Sequence, residues 1–216
     1  MVKAVIFDMD GLMIDSERVT FEGYKKVMES MGYIITEEFY KTVLGITARE
    51  GGEKFRKKYG GSFPFEKILE QVHEYMENVF DTEGVPVKKG LIHLLEFLKK
   101  NNYKTVVATS SDRKRVDKIL KSAKLDNYFD ASICGDEVIC GKPNPEVFLR
   151  ACEKIRIMPE EALVLEDSEA GILAANAGKI KVICIPDMKY PECKTAKLAY
   201  KIMNNLDEVK LFIEAL

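Results

Sequence analysis

The sequence lacks several patterns that would place a protein in a well-defined class. No run of apolar residues is long enough to span a membrane, so we expect no membrane partner. The five cysteines form no C-x-x-C pair and are odd in number, so neither a zinc site nor a disulfide framework is expected. The 33 Lys and Arg residues are interspersed with 35 Asp and Glu residues, so there is no basic footprint for a nucleic acid. A Walker A loop is absent, and the absence of G-x-G-x-x-G counts against a dinucleotide enzyme.

The chain is rich enough in apolar residues to form a substantial core. Its 216 residues are 46% hydrophobic, which suits one large domain or one domain with an insert. The amino terminus runs directly into an apolar segment, so we expect no signal peptide and predict a cytoplasmic protein. We also expect a monomer.

The stretch that organises the chain is an apolar run, residues 4–7, that ends in two acidic residues, Asp8 and Asp10. Such a run is typical of a strand buried on both faces of a parallel sheet. Two carboxylates one residue apart repel each other unless a cation or a shared proton lies between them. A metal-dependent phosphoryl-transfer site meets that requirement. A surface Asp-x-Asp-Gly turn is the alternative.

The order of the sequence patterns predicts an α/β fold with a helical insert. Residues 15–83 contain helical patterns and no convincing strand, whereas apolar strands and amphipathic helices alternate afterwards. That alternation predicts a doubly wound parallel sheet. We therefore assign residues 1–14 and 84–216 to a catalytic core and residues 15–83 to a helical cap domain, with hinges at residues 11–15 and 80–86.

Polar residues follow two further predicted strands, Thr109 and Ser110 after one and Glu166 and Asp167 after the other. Ligands of doubly wound sheets bind beyond the carboxyl ends of the strands, so these groups are predicted to converge with the acidic turn. Thr109 and the Ser110 amide could bind phosphoryl oxygens. The alternatives are a turn residue at Thr109 and a helix start after Glu166.

The acidic residues can be given roles in phosphoryl transfer. Asp8 could attack phosphorus and form an aspartyl-phosphate, and Asp10 could act as the acid and base. Asp8 and Asp167 could hold Mg²⁺, with the Asp10 backbone carbonyl as a further ligand. Lys142, in a loop stiffened by prolines, could offset the negative charge.

Four stretches resemble, in order, the motifs of the haloacid dehalogenase-like hydrolase superfamily: Asp8-Met9-Asp10-Gly11, Thr109-Ser110-Ser111, Lys142-Pro143 and Glu166-Asp167-Ser168-Glu169-Ala170-Gly171. Within it the chain is similar to the beta-phosphoglucomutase-like phosphatases. The resemblance implies the roles given above, with Thr109 and Lys142 as phosphate contacts and Glu166 also near the metal. It further implies that the first strand lies between the second and the fourth. Residues 45–49 resemble a cap loop that contacts substrate, which makes Arg49 a candidate substrate-binding residue.

The favoured function is a Mg²⁺-dependent phosphatase that hydrolyses small phosphorylated metabolites, in particular phosphorylated sugars. Asp10 favours phosphate chemistry, because dehalogenases lack the second aspartate of the first motif. A sugar-phosphate mutase is one alternative, although Thr20 stands where beta-phosphoglucomutase has a cap histidine. A signalling receiver is another, but receivers are single compact domains without a cap.

Overall fold

The computed structural model describes residues 2–216, and a parallel six-stranded sheet forms its centre. The strand order is β3-β2-β1-β4-β5-β6. The strands are β1 (Ala4–Phe7), β2 (Lys104–Ala108), β3 (Ala131–Ile133), β4 (Ala162–Glu166), β5 (Lys181–Cys184) and β6 (Lys201–Ile202). The predicted fold class is confirmed, as is the position of the first strand between the second and the fourth.

The central position of β1 explains its composition. All four of its residues are fully buried, because the strand pairs with β2 on one side and β4 on the other and helices cover both faces. Its register aligns Phe7 with Val107 and with Leu165, so the three strands end at nearly the same level. The residues after them are therefore presented at one edge of the sheet.

Helices flank the sheet within the same unit. They are α5 (Leu91–Lys100), α6 (Arg113–Ser122), α7 (Glu146–Ile155), α8 (Glu169–Ala177), α9 (Cys193–Ala196) and α10 (Leu206–Glu214). On one side, Phe148 of α7 and Ile172 of α8 pack in a buried cluster with Ile6 and Val164 of the strands. The short strand β6 was not predicted from the sequence.

The chain divides into two compact units, one formed by residues up to Asp15 together with Pro86–Leu216 and the other by Ser16–Val85. The second unit is helical, with α1 (Ser16–Ser30), α2 (Glu37–Lys41), α3 (Ala48–Tyr59) and α4 (Phe65–Thr82). Its core is largely aromatic: the Phe55 ring lies 5.4 Å from Phe63 and 5.2 Å from Phe65, measured between centroids. Among residues 2–216, no helix combines the length and apolar character needed to cross a bilayer.

Candidate active site

The loop after β1 holds the first two acidic residues in fixed positions. Asp8 is only 7% exposed, and its backbone N–H donates to the carbonyl of Leu165 on β4 at 3.0 Å. The loop then turns at Gly11, whose φ of +80° is a left-handed conformation that glycine adopts without steric cost. A Cβ at this glycine would overlap the carboxylate of Asp167, so the turn also permits a close approach.

Lys142 connects three of the strand ends, those of β1, β2 and β4, through a buried ammonium group. Its Nζ donates to Asp8 Oδ1 at 2.5 Å, to Glu166 Oε1 at 2.6 Å and to the Ala108 carbonyl at 3.2 Å. Its side chain is 5% exposed, and the Nζ lies 4.8 Å from the centre of the Phe148 ring. The peptide bond that follows it is cis. The ammonium group is therefore held by two carboxylates, a carbonyl and a ring face, which fixes its direction.

Burial and charge perturb both members of this pair. Burial raises the pKa of Asp8 to about 7, Lys142 opposes the rise, and the nearby Glu166 carboxylate adds to it. Burial alone would lower the pKa of Lys142, but attraction to Asp8 and Glu166 outweighs burial and raises it. The lysine therefore stays charged, and it stabilises the ionised form of Asp8.

Three carboxylates form the cluster that could hold a metal ion. Oxygen atoms of Asp8, Glu166 and Asp167 lie within 4.8 Å of one another. Such a set of hard oxygen donors fits Mg²⁺. Glu166 is held rigidly, because its second oxygen accepts from the Ser168 backbone N–H at 2.8 Å and from the Ser168 hydroxyl at 2.9 Å. Gly171 allows this approach, since a Cβ there would overlap the Glu166 carboxylate.

The side chain of Asp10 has different partners from those of Asp8. One carboxylate oxygen accepts from the Ser111 hydroxyl at 2.8 Å, and the other accepts from Nη2 of Arg115 at 2.8 Å. Neither partner was among the predicted site residues. Ser111 belongs to the Thr-Ser-Ser stretch and could have been included on that ground, whereas Arg115 looks like an ordinary charged residue in the first turn of α6.

The three predicted substrate-binding residues that remain lie in different local environments. Thr109 is buried, and its hydroxyl accepts from the Ser111 backbone N–H at 3.1 Å, as in a turn residue. Ser110 is exposed at the end of β2. Arg49 lies in the first turn of α3 in the helical unit, where its Nε is 3.4 Å from Glu53. Phosphate or substrate contacts by Thr109, Ser110 and Arg49 stay predictions.

The chain belongs to the haloacid dehalogenase-like hydrolase family, whose model matches residues 5–185. It is 33% identical over 214 residues to a phosphorylated carbohydrates phosphatase of Thermotoga maritima, a match that covers 99% of this chain and 91% of that protein. It is 28% identical to a probable pseudouridine-5'-phosphatase of Drosophila melanogaster, with coverages of 95% and 90%. A crystal structure of a putative beta-phosphoglucomutase from Thermotoga maritima superimposes with a TM-score of 0.83 at 30% identity and covers both chains fully.

Proposed function

We propose that the protein is a Mg²⁺-dependent phosphatase that releases phosphate from small phosphorylated metabolites, in particular phosphorylated sugars. The observation that carries the proposal is the buried carboxylate of Asp8 at the end of the central strand, paired with Lys142 and surrounded by Glu166 and Asp167. A nucleophilic carboxylate needs a fixed direction and nearby positive charge, and this arrangement supplies the direction and part of the charge.

The proposed reaction has two steps that share one pair of aspartates. In the first, an Asp8 oxygen bonds to phosphorus, the phosphorus–oxygen bond of the ester breaks, and Asp10 gives its proton to the departing alcohol. In the second, water attacks the phosphorus of the aspartyl-phosphate, Asp10 takes a proton from that water, and phosphate leaves. Asp10 is regenerated as an acid and Asp8 as a carboxylate, so the cycle needs no further reactant.

The metal would be held by oxygen atoms of Asp8, Asp167 and Glu166, with the Asp10 backbone carbonyl as a further candidate ligand. When bound, Mg²⁺ supplies positive charge that offsets the phosphate and the carboxylates around it. Lys142 contributes in the same direction, because its buried ammonium group contacts Asp8 directly. Thr109 and the Ser110 amide are proposed to bind the phosphoryl oxygens.

Relatives of this chain support the sugar-phosphate part of the proposal. One of them is named a phosphorylated carbohydrates phosphatase, and it matches almost the whole chain. We propose that residues 15–83 act as a cap that selects the substrate, with Arg49 as one contact. A cytoplasmic location and a monomeric state remain predictions.

The direct test is a panel of phosphorylated metabolites assayed for phosphate release with Mg²⁺. We expect turnover of several sugar phosphates by the natural chain and none by Asp8→Asn, which keeps the shape of the side chain but replaces the nucleophilic carboxylate with a neutral amide. The exposed Asp126 provides a matched control, since Asp126→Asn removes the same charge and should stay active. Labelling of the natural chain by phosphate is followed after rapid quenching in acid, in which an acyl phosphate is comparatively stable, and the label should be lost in alkali. Near-normal turnover by Asp8→Asn would refute the assignment.

A sugar-phosphate mutase is the second candidate, favoured by the similarity to a putative beta-phosphoglucomutase. A mutase must protect its phosphoryl-enzyme from water until a sugar hydroxyl attacks. Thr20, predicted to stand at the position of the mutase histidine, donates its hydroxyl to the Ser16 carbonyl at 2.8 Å and has no comparable proton chemistry. The two functions are separated by incubating the enzyme with beta-glucose 1-phosphate, a trace of glucose 1,6-bisphosphate and Mg²⁺. Phosphate should appear faster than glucose 6-phosphate, and the reverse order would establish the mutase.

A further inference from the structure

We propose that Arg115 is a positioning residue for Asp10, which it orients for both proton transfers together with Ser111. The inference rests on the proposed function, because it assigns a second layer of residues to the same site. Arg115 lies on α6, a helix for which no role in the chemistry was predicted from the sequence. It would act on the reaction only through Asp10.

The contacts show how the carboxyl group is held. Each Asp10 oxygen has its own donor at 2.8 Å, the Ser111 hydroxyl on one and the Arg115 guanidinium on the other. The pair is partly shielded from water, with side-chain exposures of 20% for Arg115 and 29% for Asp10. Two donors on two oxygens fix the plane of the carboxyl group, whereas a single donor would allow it to rotate.

The backbone of the two donor residues, Ser111 and Arg115, is held in place by hydrogen bonds at the start of α6. Asp112 caps the helix, and its Oδ1 accepts from the Arg115 backbone N–H at 2.8 Å. The next residue, Val116, is fully buried and fixes the rotation of the helix about its axis. The Ser111 backbone N–H in turn donates to the Thr109 hydroxyl. The segment from Thr109 to Val116 therefore forms a rigid support for Asp10.

This support leaves Asp10 able to act on a substrate. A carboxylate oxygen has two lone pairs, so each oxygen that accepts one hydrogen bond keeps a second acceptor site. A group that gives a proton in one step and takes one in the next benefits twice from a fixed orientation. The neighbouring Arg113 illustrates a different role, because its guanidinium contacts Ser132 and Glu137 beside its own helix.

The test compares Arg115→Gln with Lys114→Gln, which removes an exposed positive charge from the same helical turn. Two substrates are used with Mg²⁺: a sugar phosphate, whose alcohol must be protonated to leave, and p-nitrophenyl phosphate, whose phenolate leaves without a proton. We expect Arg115→Gln to lower kcat for the sugar phosphate about tenfold to a hundredfold, with KM changed less than about threefold. Lys114→Gln should resemble the natural enzyme on both substrates.

With p-nitrophenyl phosphate the two steps can be observed separately by stopped flow. Arg115→Gln should release the first equivalent of nitrophenolate within about twofold of the natural rate, since that step needs no acid. Steady turnover should then be slow, because attack of water still depends on Asp10. Ser111→Ala should behave in the same way. The fall in kcat of the Ser111→Ala, Arg115→Gln double variant should be smaller than the product of the two single fold-losses, as expected for residues that act on one group.

Three results would overturn the inference. A raised KM with unchanged kcat would make Arg115 a substrate contact. Equal losses of rate in both steps, together with a lower Tm, would show that Arg115 has only a structural role. Unchanged kinetics would show that Arg115 has no role in the reaction. These outcomes are distinct from failure of the proposed function, in which the natural chain itself would release no phosphate. If the natural chain turns over, Asp8→Asn is inactive and Arg115→Gln is normal, only the positioning role is wrong.

Discussion

Replacing Lys142 by methionine should reveal how much of the stability of the core depends on one buried charge. Methionine is similar in length to lysine and also apolar along its stem, so the change removes the ammonium group with little change of volume. The variant leaves Asp8 and Glu166 facing each other without the cation that now lies 2.5 Å from one and 2.6 Å from the other.

The expected cost follows from the burial of all three side chains, which are 5%, 10% and 1% exposed for Lys142, Asp8 and Glu166. Removing one partner of a buried ion pair typically lowers the free energy of unfolding by about 3–5 kcal/mol, because the remaining charge stays desolvated. Protonation can relieve part of this cost. The loss should therefore be close to that range only when Asp8 is ionised.

The pH dependence has a definite sign. The pKa of Asp8 is raised from 3.8 to about 7 in the folded chain, so this group stabilises the fold most at low pH and loses that contribution as pH rises toward 7. Without Lys142 the pKa of Asp8 should rise further, because Lys142 favours the ionised carboxylate. The decrease in stability that accompanies ionisation of Asp8 then continues to higher pH. Lys142→Met should thus destabilise the metal-free protein more at pH 8 than at pH 5, by at least about 1 kcal/mol.

The measurement is urea unfolding in chelator at both pH values, with Lys114→Met as a control for removing a lysine from the surface. The control should stay within about 0.5 kcal/mol of the natural chain at each pH. A loss below about 1 kcal/mol for Lys142→Met at pH 8 would contradict the reasoning, as would an equal loss at the two pH values. A small loss at pH 8 would mean that Asp8 and Glu166 are hydrated when Lys142 is absent. An equal loss at the two pH values would mean that Lys142 does not stabilise the protein through the ionised carboxylates.

The remaining predictions concern the metal cluster and the glycines beside it. Chelation should abolish activity, and added Mg²⁺ should restore it. Mg²⁺ should also raise the Tm measured by thermal unfolding. Asp167→Asn should weaken the gain in activity and the gain in Tm far more than Glu169→Gln. Gly11→Ala should cost about 1–3 kcal/mol in the free energy of unfolding and weaken Mg²⁺ binding, because its backbone is left-handed and the new Cβ displaces Asp167. Gly171→Ala should lower activity through displacement of Glu166, although alanine favours a helix by about 1 kcal/mol; higher stability with full activity would contradict this.

The sequence predicted the fold well where local signals were strong. The strand at Lys104–Ala108 is an apolar run that ends in polar residues, and α3 ends at a pair of glycines, so both elements could be placed from the sequence alone. The strand Lys201–Ile202 could not, because two residues carry no periodicity and pair with β5 only through the tertiary structure. Short edge strands of this kind depend on the neighbouring strand rather than on their own sequence.

The site was predictable to the extent that it consists of strand ends. Parallel topology places Asp8 and Asp167 at one edge of the sheet, and the structure brings them together with Lys142. The support of Asp10 was not predictable, because Arg115 comes from the first turn of a helix and a charged residue there usually faces solvent. Its significance depends on the direction in which α6 leaves the sheet, which the cap at Asp112 and the burial of Val116 determine in three dimensions.

The two kinds of charge arrangement in the site suggest a division of work. Asp10 and Arg115 form an ion pair. This pairing suits a side chain whose task is to be held in one orientation rather than to bind a cation. The cluster of Asp8, Glu166 and Asp167 brings three carboxyl groups together, and Lys142 forms ion pairs with the first two. A phosphate ester is itself anionic and would be repelled by that cluster in a low-dielectric setting. A divalent cation bound by these oxygen atoms would add positive charge where the anionic ester has to bind. The concentration of carboxyl groups is therefore a physical reason, apart from any resemblance, for expecting the protein to need a metal before it can accept its substrate.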